Sequence, residues 1–133
     1  MQRVLPTGWH CRNQCSLETP DSVPEPDLAI VRGGILDYQH RHPQAADTAL
    51  VIEVADTFVA IDRAKRHIYA QAGILEYWII NLVDAQVEIF KSPHVTGRNA
   101  DYQHEEILLR LDQVTLAIPG EQTQRISVAD FVP

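Results

Sequence analysis

The sequence predicts an α/β (α+β) fold in which a mixed β-sheet carries one main helix, and three observations predict it. Ala49-Leu50-Val51-Ile52-Glu53-Val54-Ala55 is a continuous apolar run rather than an alternating one, the pattern of a central strand covered on both faces. From Ile61 to Ala72 the apolar period lengthens, with Ile61, Ala64, Ile68 and Ala72 three or four apart and Gly73 placed for a left-handed cap, which is a helix. Glu76-Tyr77-Trp78-Ile79-Ile80-Asn81 and Val87-Glu88-Ile89-Phe90 flank a short turn around Asp84, the pattern of a β-hairpin.

The remaining elements follow in chain order. Trp9 to Leu17 alternates, with Cys11, Asn13, Cys15 and Leu17 on one side and His10, Arg12, Gln14 and Ser16 on the other, so it is expected as the first strand. The acidic stretch from Glu18 to Pro26 holds three prolines and is expected as an ordered loop. Leu28-Ala29-Ile30-Val31 makes a short strand ended by Gly33 and Gly34, and the segment from there to Ala46 has no period and is expected as loop. Beyond the hairpin, strands are expected at Tyr102 to Ile107 and Val114 to Ile118, a turn at Pro119-Gly120, and a strand or single helical turn between Ile126 and Phe131.

Composition limits the function classes. At 133 residues, residues 1–133 are expected to form a single domain. Eleven Lys and Arg against 18 Asp and Glu leave a net charge of −7, which excludes a generally basic nucleic-acid coat and predicts weak, salt-sensitive non-specific DNA binding. The longest apolar runs are a few residues, so no membrane span is expected, and Met1 to Pro6 lacks the apolar run of a secretory signal. Two cysteines are too few for a disulfide framework, and a cytoplasmic location is the expectation. His10, Cys11 and Cys15 do not make a zinc site, because neighbours on a strand point to opposite faces.

Three side chains carry the chemistry. Glu53 interrupts the most apolar strand, where an unpaired carboxylate costs several kcal/mol unless it meets a cation, a metal or donors. Asp27 opens the preceding strand, so the two acids meet if those strands are neighbours. On a helical wheel with Ile61 at 0°, Ala64, Ile68 and Ala72 fall near roughly 300°, 340° and 20°, and Lys65 near 40°. Lys65 is therefore expected to face the sheet with the apolar stripe, with Arg63 and Arg66 on the solvated side and Asp62 at its margin. The plain structural account of this trio is a buried Lys65–Glu53 ion pair that fixes helix on sheet. The chemical account is phosphodiester cleavage. Carboxylate oxygens of Asp27 and Glu53, helped by the backbone carbonyl of Val54, suit Mg²⁺ or Mn²⁺, while Lys65 stabilises charge that develops on the phosphate.

Five ordered motifs make a family resemblance. Glu25-Pro26-Asp27-Leu28-Ala29, Leu50-Val51-Ile52-Glu53-Val54-Ala55-Asp56, Asp62-Arg63 with Lys65 and Tyr69, Ala72-Gly73-Ile74 and Glu76-Tyr77-Trp78-Ile79 resemble the Uma-two family of the PD-(D/E)XK nuclease superfamily, from about Trp9 to Phe131. The resemblance implies a restriction-endonuclease-like core, a divalent-metal-dependent DNA endonuclease, Asp27 and Glu53 as metal ligands, Lys65 as the catalytic lysine, DNA as partner, and a homo-oligomer, commonly a dimer. The sequence departs from the family pattern in three places. The family's leading helix and strands, which include an acidic residue, precede the first strand expected here. Lys65 stands three residues after Asp62, with Arg66 in the fourth place the family lysine usually takes, although the four-residue step from Lys65 to Tyr69 is retained. The small hydroxyl residues usual after the carboxylate strand are reduced to Thr57, followed by Phe58. These departures keep a second hypothesis open: a catalytically silent remnant of the fold that associates with other proteins through Tyr77, Trp78 and open sheet edges.

Overall fold

The computed structural model describes residues 5–133, so Met1 to Val4 of the opening segment judged against a secretory signal lie outside the described residues. Chain order runs β1 (Trp9–Asn13), β2 (Leu28–Arg32), β3 (Thr48–Ala55), α1 (Val59–Ala64), α2 (Arg66–Ala72), β4 (Glu76–Asn81), β5 (Gln86–Thr96), β6 (Asn99–Leu109), β7 (Gln113–Leu116) and β8 (Gln124–Ser127). The first six strands form one sheet in chain order. All its pairs are antiparallel except β3 with β4, which are joined by the helical crossover that parallel neighbours require. This is the mixed α+β sheet with one main helical segment that the sequence predicts.

The sheet is covered on both sides. One face packs Val51, Ala55, Tyr77, Ile79, Phe90 and Tyr102 against Tyr69, Ala70 and Ile74 of the helical layer. The other packs Leu50, Ile52, Trp78, Ile80, Val87 and Ile89 against Val114, Leu116, Ile118 and Val128, from β7 and the segments beside it and β8. Every residue of β3 except Val54 is buried, and all of β4 is buried, which is why both read as continuous apolar runs. Tyr77 and Trp78 are completely enclosed. They therefore cannot form the association surface that the second hypothesis needs.

Several boundaries differ from expectation. β1 stops at Asn13 instead of running to Leu17, because Gln14 takes a left-handed backbone (φ 50°) that turns the chain out of the sheet. Pairing continues irregularly, with Gln14 N–H donating to the Asp27 carbonyl at 3.0 Å and Leu17 N–H to that of Pro24 at 2.9 Å, and Leu17 is carried into the helix-side core. Short 3-10 turns at Ile35–Tyr38 and Ala45–Asp47 break the expected loop. β5 and β6 extend well past the apolar stretches, and the tail holds both β8 and a 3-10 turn at Val128–Asp130.

The helix starts at Val59 and is interrupted at Lys65, which separates α1 from α2 while keeping helical angles. Gly73 ends it in the left-handed region (φ 84°), and Ile74 N–H donates back to the Tyr69 carbonyl at 3.0 Å, as expected. Its buried face corrects the wheel. Ile61 and Ile68 are 60% and 42% exposed, whereas Val59, Tyr69 and Ala70 are buried. On the same wheel these three centre near roughly 140°, the side that Arg63, Arg66 and Asp62 occupy. Lys65, near 40°, sits at the rim between the two faces.

Candidate active site

Sheet register brings the two acids together. Leu28 pairs with Ile52, and one further residue along the antiparallel ladder sets Asp27 opposite Glu53. Glu53 pairs with Ile79 on β4 and Ile79 with Glu88 on β5. Directly paired residues share a face, so Asp27, Glu53, Ile79 and Glu88 form one row beneath the helices. Asp27 and the β3 end clasp each other: Asp27 N–H donates to Glu53 Oε1 at 2.9 Å, and Val54 N–H donates to Asp27 Oδ2 at 2.7 Å.

Lys65 closes the arrangement. Its ammonium lies 3.0 Å from Glu53 Oε2 and 3.2 Å from Asp62 Oδ1, and Tyr69 donates its hydroxyl to the same Glu53 oxygen at 3.0 Å. The structure thus brings Asp27, Glu53, Val54 and Lys65 into one cluster. The inward amine comes from the helix rim and not from an apolar stripe. Burial dominates Glu53 and pushes its pKa up, against the bonds from Asp27 N–H, Lys65 and Tyr69. For Lys65, burial works downward, but the bonds to Glu53 and Asp62 win and raise its pKa. Burial first, and then the charge on Glu53, raise the Tyr69 hydroxyl well above its ordinary value, which keeps it a hydrogen-bond donor at neutral pH.

Sequence reasoning placed Arg63 and Arg66 on the solvated side, and both are corrected. Arg63 makes a two-pronged bond to Glu88, Nε and Nη2 each at 2.8 Å. Glu88 also accepts from Asn81 at 2.9 Å and Gln86 at 3.1 Å. Arg66 pairs with Asp101 at 3.1 Å, and His67 Nδ1 lies 2.8 Å from the Ala100 carbonyl. Arg63 and Arg66 are therefore matched by carboxylates, not presented free to phosphate. Asp62, Tyr69 and the Arg63–Glu88 pair went unassigned in the sequence. Glu88 interrupts an apolar strand as Glu53 does, and the Lys65–Tyr69 step puts both side chains on one helix face, so two of the signals were present.

Among the described residues, no three His, Cys, Asp or Glu side chains gather as a metal centre. The donors at hand are the paired carboxylates of Asp27 and Glu53, with the Val54 backbone beside them. In extended backbone a residue's N–H and C=O point to the same side, so the Val54 carbonyl faces Asp27 as its N–H does. Two carboxylates and a carbonyl are hard oxygen ligands, and Mg²⁺ in particular is commonly held by one or two carboxylates with water and phosphate supplying the rest. The residues fit such an ion. Clefts of about 330 Å³ at Glu18–Pro20 with Ala72, and at Leu75–Glu76 with Lys91–Pro93, do not include the trio, which lies beside the exposed Asp56–Phe58 segment. Among the described residues no helix is long and apolar enough to cross a membrane.

Comparison with known proteins identifies the family and the fold. Residues 3–129 match the profile of the Uma2 (Uma-two) family, described as "Putative restriction endonuclease". The fold is similar to the crystal structure of "a putative nuclease belonging to DUF820" from Anabaena variabilis, with a TM-score of 0.63 and 14% identity over 93% of this chain and 68% of that one. No functionally curated protein matches the chain.

Proposed function

Because the chain belongs to the Uma2 family of restriction-endonuclease type, we propose that it hydrolyses phosphodiester bonds in DNA with a divalent cation, Mg²⁺ or Mn²⁺, held by Asp27, Glu53 and the Val54 carbonyl. One observation carries this assignment: a half-exposed lysine reaches a buried carboxylate that is hydrogen-bonded to the backbone of a second acid. An ammonium group has three N–H donors. Glu53 and Asp62 take two, leaving one for a non-bridging phosphate oxygen, where Lys65 opposes the charge that builds up during attack by water. Tyr69 and Asp27 N–H hold the Glu53 carboxylate in a fixed orientation. Asp62 tethers Lys65 on its other side and is itself positioned, since its carbonyl accepts the Tyr77 hydroxyl at 2.8 Å. When bound, the cation supplies Lewis-acid stabilisation of the phosphate and a more acidic water.

Plasmid cleavage in Mg²⁺ or Mn²⁺, compared with EDTA, tests the assignment. The wild-type chain nicks DNA only with the metal, and Glu53→Ala and Lys65→Ala each lose about 10²-fold or more. Equal cleavage by all three proteins refutes it. A wild-type chain that stays inert while Asp27→Ala abolishes calorimetric Mn²⁺ binding would mean a metal site without catalysis.

A further inference from the structure

Arg12 differs from the other cations on the site's side of the sheet. Arg63, Lys65 and Arg66 each meet a carboxylate. Among the described residues, Arg12 meets only an aromatic ring, its guanidinium lying 5.3 Å from the centroid of Tyr38. Its Nε–H is buried without a hydrogen-bond partner, and so is Nε2 of His10, two residues earlier on the same face of β1. His10 is 93% buried, its other ring nitrogen lying 2.7 Å from the Gly33 carbonyl, and its ring too packs near Tyr38, at 5.9 Å. A buried donor without a partner costs about 1–3 kcal/mol, so a partner that arrives on binding would recover that cost. The unpartnered Arg12 Nε–H belongs to a cation held over the Tyr38 ring, and a charged donor of this kind suits an anion.

Register places them relative to the acids. Arg12 pairs with Ala29 and Ala29 with Val51, the row next to that of Asp27 and Glu53 and on the same face. Gln14, two residues beyond Arg12, is bonded through its backbone N–H to the Asp27 carbonyl. One strand spacing and two residues of rise put the Arg12 and Asp27 backbones on the order of 8 Å apart, comparable with the separation of consecutive phosphates along a nucleic-acid strand. Resting on the nuclease assignment above, we propose that Arg12 binds the phosphate that flanks the one being cleaved. The chain's net charge of −7 makes a local cation of this kind necessary, because the total field repels DNA. Arg12 acts here as a binding residue. Its guanidinium suits a phosphate geometrically, and Tyr38 holds it in advance.

The test is binding of a short labelled DNA duplex in EDTA across a salt series, so that it reads affinity without cleavage. Each phosphate contact contributes close to one to the slope of log K against log salt. Arg12→Gln lowers that slope by about 1 and Arg12→Lys leaves it near wild type. In cleavage assays Arg12→Gln raises KM more than it lowers kcat. An unchanged slope in Arg12→Gln overturns the inference, as does a wild-type chain that does not bind the duplex. Should Arg12→Gln fail to fold, the wild-type Arg12 Nε–H resonance serves instead: it shifts on adding the duplex, and a resonance that stays in place overturns the inference. A wild-type chain that does not cleave in Mg²⁺ or Mn²⁺ while the slope effect stands would refute the nuclease assignment and leave the phosphate contact standing.

Discussion

Glu53 and Glu88 lie in one row of the sheet, two strands apart, each almost fully hidden and each answered by a cation from the same helical segment. Their pKa values nevertheless move in opposite directions. At Glu88 burial pushes upward, yet two bonds from Arg63 and one each from Asn81 and Gln86 prevail, and the value falls. At Glu53 three donors do not overcome burial, and the value rises. Their cover differs accordingly. The two cations are similarly exposed, Arg63 at 42% and Lys65 at 36%, but Glu53 is also covered by Tyr69, which is fully buried. A planar fork also fits a carboxylate better than a single ammonium does. The difference is one of compensation: at Glu88 the bonds outweigh burial, and at Glu53 burial outweighs the bonds, as the proposed metal site at Glu53 would require.

The largest effect should come from breaking the satisfied pair. Arg63→Ala leaves Glu88 as an uncompensated buried charge and is expected to cost about 3 kcal/mol in urea denaturation. Lys65→Ala should cost markedly less, because the pair it removes is already poorly compensated. Equal losses would erase the distinction between the two carboxylates.

A somewhat smaller effect sharpens the comparison from the ligand side. Mn²⁺ at a hundred times its Kd should stabilise the wild-type fold by about 2.7 kcal/mol. Glu53→Gln should abolish that gain and Glu88→Gln should retain it, both read by thermal unfolding with and without the ion. Stabilisation that survives Glu53→Gln would move the metal elsewhere.

The same contrast explains what the sequence could reveal. An acid inside an apolar run stands out, so Glu53 was legible, whereas Asp27 opposite it was conditional on the two strands being neighbours, which they are. The helix face was misjudged because amphipathic patterning assumes that the hidden side is the apolar one. Here the helix lies over a row containing Glu53 and Glu88, so Asp62, Arg63, Arg66 and Tyr69 face inward while Ile61 and Ile68 stay outside. Lys65 was found because a rim position belongs partly to both faces. The outer parts of the β5–β6 hairpin were not legible, because residues such as Ser92, His94 and Asn99 are exposed and their pairing is set by the hairpin ladder rather than by burial. The end of β1 was hidden for a related reason: nothing in the alternation of His10 to Leu17 marks the left-handed turn at Gln14.

The smallest expected effect lies in the pH dependence of Glu88. Its folded pKa is depressed below the ordinary glutamate value of 4.5, so the unfolded chain binds its proton first on acidification. Its contribution to stability is then complete above that ordinary value and is lost as pH falls through the folded value. Glu53 has the opposite sign in metal-free protein, since a raised folded pKa favours the folded state in acid and that benefit fades as pH rises through it. The two therefore partly cancel in the wild-type curve, and Glu88→Gln should uncover the difference. Denaturant titrations in EDTA from neutral pH downward should show the wild-type advantage over Glu88→Gln shrinking below about pH 4.5. An advantage that instead grows in acid would mean that Arg63 and its neighbours do not satisfy Glu88, and that the two carboxylates are alike after all.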